Sequence, residues 1–119
     1  MKSKNIIMMI TAITMGSIAQ LLLKLGMNLF GELTDLTSII IALFTPLVFT
    51  GVMLYFASSL IWLVVLSKTE LSYAYPFVAI SYALVAILSY LLLNEALPLI
   101  RVLGIGVITA GVMMVSLSK

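Results

Sequence analysis

The sequence predicts an all-α integral membrane protein, a bundle of four transmembrane helices that works as a dimer of eight. Three observations carry this. The chain is 64% hydrophobic with a mean hydropathy of +1.33. Only 8% of its residues are charged, whereas a soluble domain of this length has roughly a quarter charged. The apolar residues also fall into runs of about 20, enough to cross a bilayer, with short polar turns between them. The whole chain, residues 1–119, reads as one transmembrane domain.

Composition also excludes. With no cysteine and no histidine, disulfides, thiol chemistry and the usual transition-metal sites have no ligands. No cofactor or metal is expected. A net charge of +2 is too small and too scattered for nucleic-acid binding. No Ser/His/Asp set, carboxylate pair or phosphate loop is present, so the chain is not read as an enzyme.

The first span runs from Ile6 to Leu25 and is closed by Gly26, Asn28, Gly31, Glu32 and Asp35. Lys2 and Lys4 before an apolar run, with Ser17-Ile18-Ala19 beyond it, resemble a cleavable signal. The run continues through Leu21, Leu22 and Leu23, so the segment is read as an uncleaved span. The next apolar run, Ile39 to Leu66, is longer than a span needs. Proline suits a first helical turn, so span two is placed at 46–66, from Pro46, with a short interfacial helix over Leu36 to Phe44. One proline-kinked helix is the alternative.

Ser67-Lys68-Thr69-Glu70 forms a turn, and span three follows at 71–93 with Pro76 early in it. Asn94 to Pro98 is the next turn, and span four covers 99–117. Short links make consecutive helices antiparallel neighbours. With the N-terminus inside, Lys2, Lys4, Lys68 and Lys119 are cytoplasmic, and Lys24 and Arg101 are outside. That weak bias favours both termini in the cytoplasm.

Polar residues inside spans are the candidate site. On span one, Ser17, Gln20 and Lys24 fall within about 60° of one another, with Thr14 at the border. Gln20 is too short to reach the interface and points to the bundle interior. Lys24 either faces the interior or snorkels to the membrane surface. On span two, Tyr55, Ser59 and Trp62 share a face with Ser58 beside it. Trp62 is either an interfacial anchor or an aromatic chamber wall.

Span three places Tyr75, Ala79, Tyr82, Ala86 and Ser89 on one face. Unpaired tyrosine hydroxyls are costly in lipid, so this face lines a cavity or packs on another helix. Pro76 frees a backbone carbonyl one turn earlier, a hinge or an acceptor. On span four, Gly104 and Gly111 share a face, and Gly106 with Ala110 forms a small-xxx-small pair. These four residues fit close helix approach between chains or within the bundle. All four acids, Glu32, Asp35, Glu70 and Glu95, lie in turns or at helix ends. There is no intramembrane carboxylate to bind protons or cations.

Ile18-Ala19-Gln20-Leu21-Leu22-Leu23-Lys24, Leu71-Ser72-Tyr73-Ala74-Tyr75-Pro76-Phe77 leading to Ser81-Tyr82, and Asn94-Glu95 before a glycine-rich last span resemble the drug/metabolite transporter superfamily. Within it the chain is similar to four-span members related to small multidrug resistance proteins. The nearest likeness is to flippase subunits for undecaprenyl-phosphate aminoarabinose. Small multidrug resistance proteins carry an essential glutamate in span one. Counting back from Lys24, the matching position here is Gly16. Gly104 and Gly111 resemble that family's dimer contact, and Trp62 its chamber tryptophan.

The resemblance implies a bacterial inner-membrane transporter of a polyprenyl-phosphate sugar or similar anionic lipid, acting by alternating access. It implies a homodimer, or a heterodimer with a homologous subunit. Lys24 and Arg101 would meet phosphate, and Gln20, Trp62, Tyr75 and Tyr82 would contact the sugar. Tyr55 and Ser59 complete the expected substrate-binding set. The alternatives are an exporter of a small solute and a non-transporting accessory subunit.

Overall fold

The computed structural model describes residues 2–118, with side chains from Lys4. Lys119 and the Lys2 side chain, two of the cations behind the expected orientation, lie outside what is described. The described residues are helical throughout apart from turns: α1 (Lys2–Phe30), α2 (Leu36–Leu43), α3 (Pro46–Lys68), α4 (Leu71–Ala74), a 3-10 segment (Tyr75–Ala79), α5 (Ile80–Leu92) and α6 (Leu99–Ser116). Four stretches are long and apolar enough to cross a membrane: Lys4–Phe30, Pro46–Lys68, Leu71–Leu92 and Leu99–Ser116.

Helix α1 continues beyond Leu25, through Gly26 and Asn28, to Phe30. It stops where Gly31 takes a φ of +105°, a left-handed conformation that costs glycine nothing. The apolar run after it is divided. Asp35 caps α2, accepting from the Ser38 amide at 2.9 Å, and the Ser38 hydroxyl accepts from the Asp35 amide at 3.1 Å. Helix α3 then starts at Pro46 with Thr45 as its N-cap residue. Proline needs no donor there, because the first-turn amides have no partner within the helix.

Helices α1 and α3 form the most extensive contact of the bundle. Residues spaced by seven, all but Val65 small, mark the seam on each: Ala12, Ala19 and Gly26 on α1, and Gly51, Ser58 and Val65 on α3. All six are buried. A β-carbon on Gly26 would stand 2.5 Å from Val48 Cγ2 and 3.2 Å from the Val48 nitrogen. Val48 approaches the α1 backbone this closely because Gly26 has no side chain in the way. Gly26 is therefore a contact point inside a helix rather than the end of one.

At the other end of the pair, Met9, Val65 and Ala74 make a small core against which Met8, Trp62 and Phe77 pack. Buried Asn5 donates to Thr69 Oγ1 at 3.4 Å. This contact joins the start of α1 to the end of α3, so Lys4 and Lys68 lie at one end of the bundle. Arg101 belongs to the opposite end.

The third span is broken. Pro76 has no N–H to give to the Ser72 carbonyl, and the chain tightens into the 3-10 segment before resuming as α5. Helix α5 packs on α1. Helix α6 touches chiefly α5 and the 3-10 segment, and Val112 is its one buried residue among those described. Large apolar side chains cover the exterior, among them Leu29, Phe44, Leu99, Val107 and Met114. In water this would be unsupportable, and in hydrocarbon it is the expected surface.

Candidate functional site

Between α1, α3 and the third span lies a cavity of about 430 Å³. Helix α1 contributes Ala12, Ile13, Gly16, Ser17 and Gln20. Helix α3 contributes Tyr55, Ser58, Ser59 and Trp62, and the third span adds Tyr75, Val78, Ser81, Tyr82 and Val85. Six side chains expected from sequence, Gln20, Tyr55, Ser59, Trp62, Tyr75 and Tyr82, thus line one chamber. The 3.6-residue period of each helix turns these positions to a common side. The rings of Tyr55, Tyr75 and Tyr82 are half-exposed, so the chamber is open at its rim.

The chamber's serines are arranged alike. Ser17 donates to the Ile13 carbonyl at 2.8 Å, Ser58 and Ser59 both donate to the Tyr55 carbonyl at 2.8 and 3.0 Å, and Ser81 donates to Val78 at 2.6 Å. Each hydroxyl proton is committed to its own helix, which leaves lone pairs as the free hydrogen-bonding capacity. The serines therefore offer acceptors, beside the donors of Gln20, Trp62 and the three tyrosines. Among the described residues, no acid or base of the Asp, Glu, Lys or Arg type lines the chamber. Gly16 faces it, and a β-carbon there would sit 3.7 Å from Ser58 Oγ and 3.9 Å from Tyr55 Cε1, ordinary contact distances.

A second cavity, of about 470 Å³, adjoins the first. The two share Gln20, Ser81, Tyr82 and Val85. The second continues past Ala86 and Ser89 to the α5–α6 turn, where Glu95, Ala96, Leu97 and Arg101 line it. Together they form a path from the middle of the bundle to a charged mouth. Arg101 is thus placed on the path but not in the chamber. Its Nη1 donates to the Ala96 carbonyl at 3.0 Å.

Lys24 lies on neither cavity. It is exposed and more than a turn short of the end of α1, so it does not join Gln20 as the helical stripe implied. The four small residues of α6 also stand apart. Gly104, Gly106 and Ala110 are exposed, as is Gly111, and nothing lies within 4 Å of a β-carbon built on any of the three glycines. They make no close approach to any described residue of this chain.

Ser58, Ser81 and Glu95 belong to the path without having been candidates. Ser58 was readable as a neighbour of Ser59. Ser81 lies within the Ser-Tyr pair of span three. Nothing local in the sequence points Glu95 inward.

The EamA-like transporter family matches residues 3–117. The chain is similar to the probable 4-amino-4-deoxy-L-arabinose-phosphoundecaprenol flippase subunit ArnF of Erwinia tasmaniensis. The two are 32% identical over 111 residues, which cover 87% of each. It is also similar to the protein of the same name from Proteus mirabilis, 36% identical over 112 residues, covering 84% of this chain and 82% of that one. No solved structure matches significantly.

Proposed function

Because the chain belongs to the EamA-like transporter family, we propose that it is one subunit of a flippase carrying a polyprenyl-phosphate-linked sugar across the bacterial inner membrane. The observation that carries this reading is the chamber: an uncharged, aromatic space with both acceptors and donors, adjoining a mouth that holds Arg101. Sugar hydroxyls are donors and meet serine lone pairs, and sugar rings stack on Trp62 and the tyrosines. The phosphate meets Arg101 through charge-assisted hydrogen bonds as the head group passes the mouth, before or after the sugar occupies the chamber. The lipid tail stays in the bilayer at the open rim. The flippase names of the two relatives support the same substrate class.

One chain walls the chamber on three sides only. A second copy, or a homologous four-span subunit, seats on the open face of α6 through Gly104, Gly106, Ala110 and Gly111. Both termini face the cytoplasm, and the two halves rock to expose the chamber to each side in turn. Pro76 and the 3-10 segment supply the bend. Lys24 serves the lipid headgroups or the partner subunit rather than the chamber.

The test is transport itself. Vesicles reconstituted with the chain and any co-purifying subunit should flip a polyprenyl-phosphate sugar, and Trp62→Ala should slow this about tenfold, the loss of one stacking contact of ~1.4 kcal/mol. Proton-driven movement of a quaternary ammonium compound with no lipid flipping would replace this reading with that of a small-solute exporter. Stable association with a partner, with neither activity, would make the chain an accessory subunit.

A further inference from the structure

The second cavity carries charge of both signs. Arg101 enters it from the first turn of α6, and Glu95 enters from the α5–α6 turn. No ion pair joins the two. The Arg101 guanidinium donates to Ala96, and the Glu95 carboxylate has no hydrogen bond or ion pair among the described residues. The backbone around Glu95 is itself pinned. Asn94 has a φ of 58°, and the Glu95 amide turns back to the Ser89 carbonyl at 3.2 Å. Opposite charges that line one space can close on each other in a charge-assisted hydrogen bond. Here Glu95 is partly buried and makes no ion pair with Arg101.

We propose that this cavity is a subsite for a zwitterionic head group, with Arg101 holding its phosphate and Glu95 a protonated primary amine on the sugar. The inference rests on the lipid-linked-sugar reading and deepens it. A primary amine is charged at neutral pH, and the central chamber offers no carboxylate to receive it. Recognition of charge therefore falls to the mouth, which the head group must cross beside Gln20 and Tyr82. Glu95 is then the residue that separates an amino sugar from a neutral one.

Native mass spectrometry of the full chain, purified with any subunit that accompanies it, tests this. The probes are undecaprenyl phosphate and undecaprenyl phosphate bearing a 4-amino sugar. Glu95→Gln should weaken the amino-sugar lipid about tenfold, the loss of one charge-assisted bond, and leave undecaprenyl phosphate unchanged. Glu95→Asp should keep the preference, which separates charge from packing. Arg101→Gln should weaken both lipids. Equal losses for both lipids in Glu95→Gln, or no loss for either, overturn the subsite and leave the flippase reading standing. A wild-type chain that binds neither lipid overturns the flippase reading and the subsite with it.

Discussion

The backbone of Gly51 lies against that of Ala19: a β-carbon on Gly51 would stand 3.1 Å from the Ala19 carbonyl oxygen and 3.0 Å from the Leu23 side chain. A flexible side-chain tip could move aside, but a carbonyl fixed in a helix cannot. Gly51→Ala should therefore force α1 and α3 apart. Overpacking of this kind costs about 1–3 kcal/mol, offset in part by the ~1 kcal/mol helix preference of alanine. Gly26→Ala, which meets the Val48 nitrogen and Cγ2, should behave likewise. Thermal unfolding in detergent, read against wild type, measures both. An unchanged midpoint would mean that the seam is loose.

The glycines of α6 should respond in the opposite way. No described residue lies near them, so Gly111→Ala should leave chain stability intact or raise it slightly through helix propensity. A bulkier Gly111→Leu should abolish association with a second subunit, because close backbone approach is what small residues permit. Cross-linking in native membranes reads this. A wild-type cross-linking pattern in Gly111→Leu would remove α6 from the subunit contact.

Chamber volume can be reduced from Gly16. Alanine fits there at ordinary contact distances, so Gly16→Ala should transport normally. Gly16→Leu projects into the space beside Tyr55 and Ser58. It should lower flipping by about tenfold or more, an effect of ~1.4 kcal/mol on the barrier, with little loss of stability. Full transport by a folded Gly16→Leu protein would place the path elsewhere.

Lys24 and Arg101 should separate cleanly. Arg101 lines the mouth and Lys24 lines neither cavity. Arg101→Ala should cut flipping at least tenfold, and Lys24→Ala should stay within about twofold of wild type. The reverse order in a vesicle flipping assay would return Lys24 to the site.

The turn before α6 should depend on residue 94. Asn94 is the only described non-glycine residue at positive φ, where asparagine is tolerated and a β-branched residue is not. Asn94→Val should destabilise by about 1–2 kcal/mol and displace Glu95 from the mouth. Asn94→Gly should be close to neutral in thermal melts. Equal stability of the two variants would mean that the loop refolds around valine.

Much of this was legible from residue type and period. Four apolar runs gave the spans, and proline chemistry placed the start of α3. The helical period grouped Gln20, Tyr55, Ser59, Trp62, Tyr75 and Tyr82 on faces that do meet. What was not legible depends on distances between helices. Gly26 reads locally as a terminator, and only the position of Val48 makes it a contact. Lys24 shares a stripe with Gln20, but the chamber ends one turn sooner. The inward placement of Glu95 follows from a single left-handed residue, which no periodicity encodes.

The break at Pro76 has a mechanical consequence. The α1–α3 pair, locked along its small-residue seam, is a stiff column. The third span is a jointed strut, whose turn at Tyr75–Ala79 already runs on i→i+3 bonds and lacks one donor. Bending such a joint exchanges few hydrogen bonds, so load applied to the bundle is taken up there before the column yields. Tyr75 sits in the joint and Tyr82 on the arm beyond it. Flexing of the strut would therefore swing those rings relative to Trp62 and change the bore of the space between them rather than the integrity of the frame.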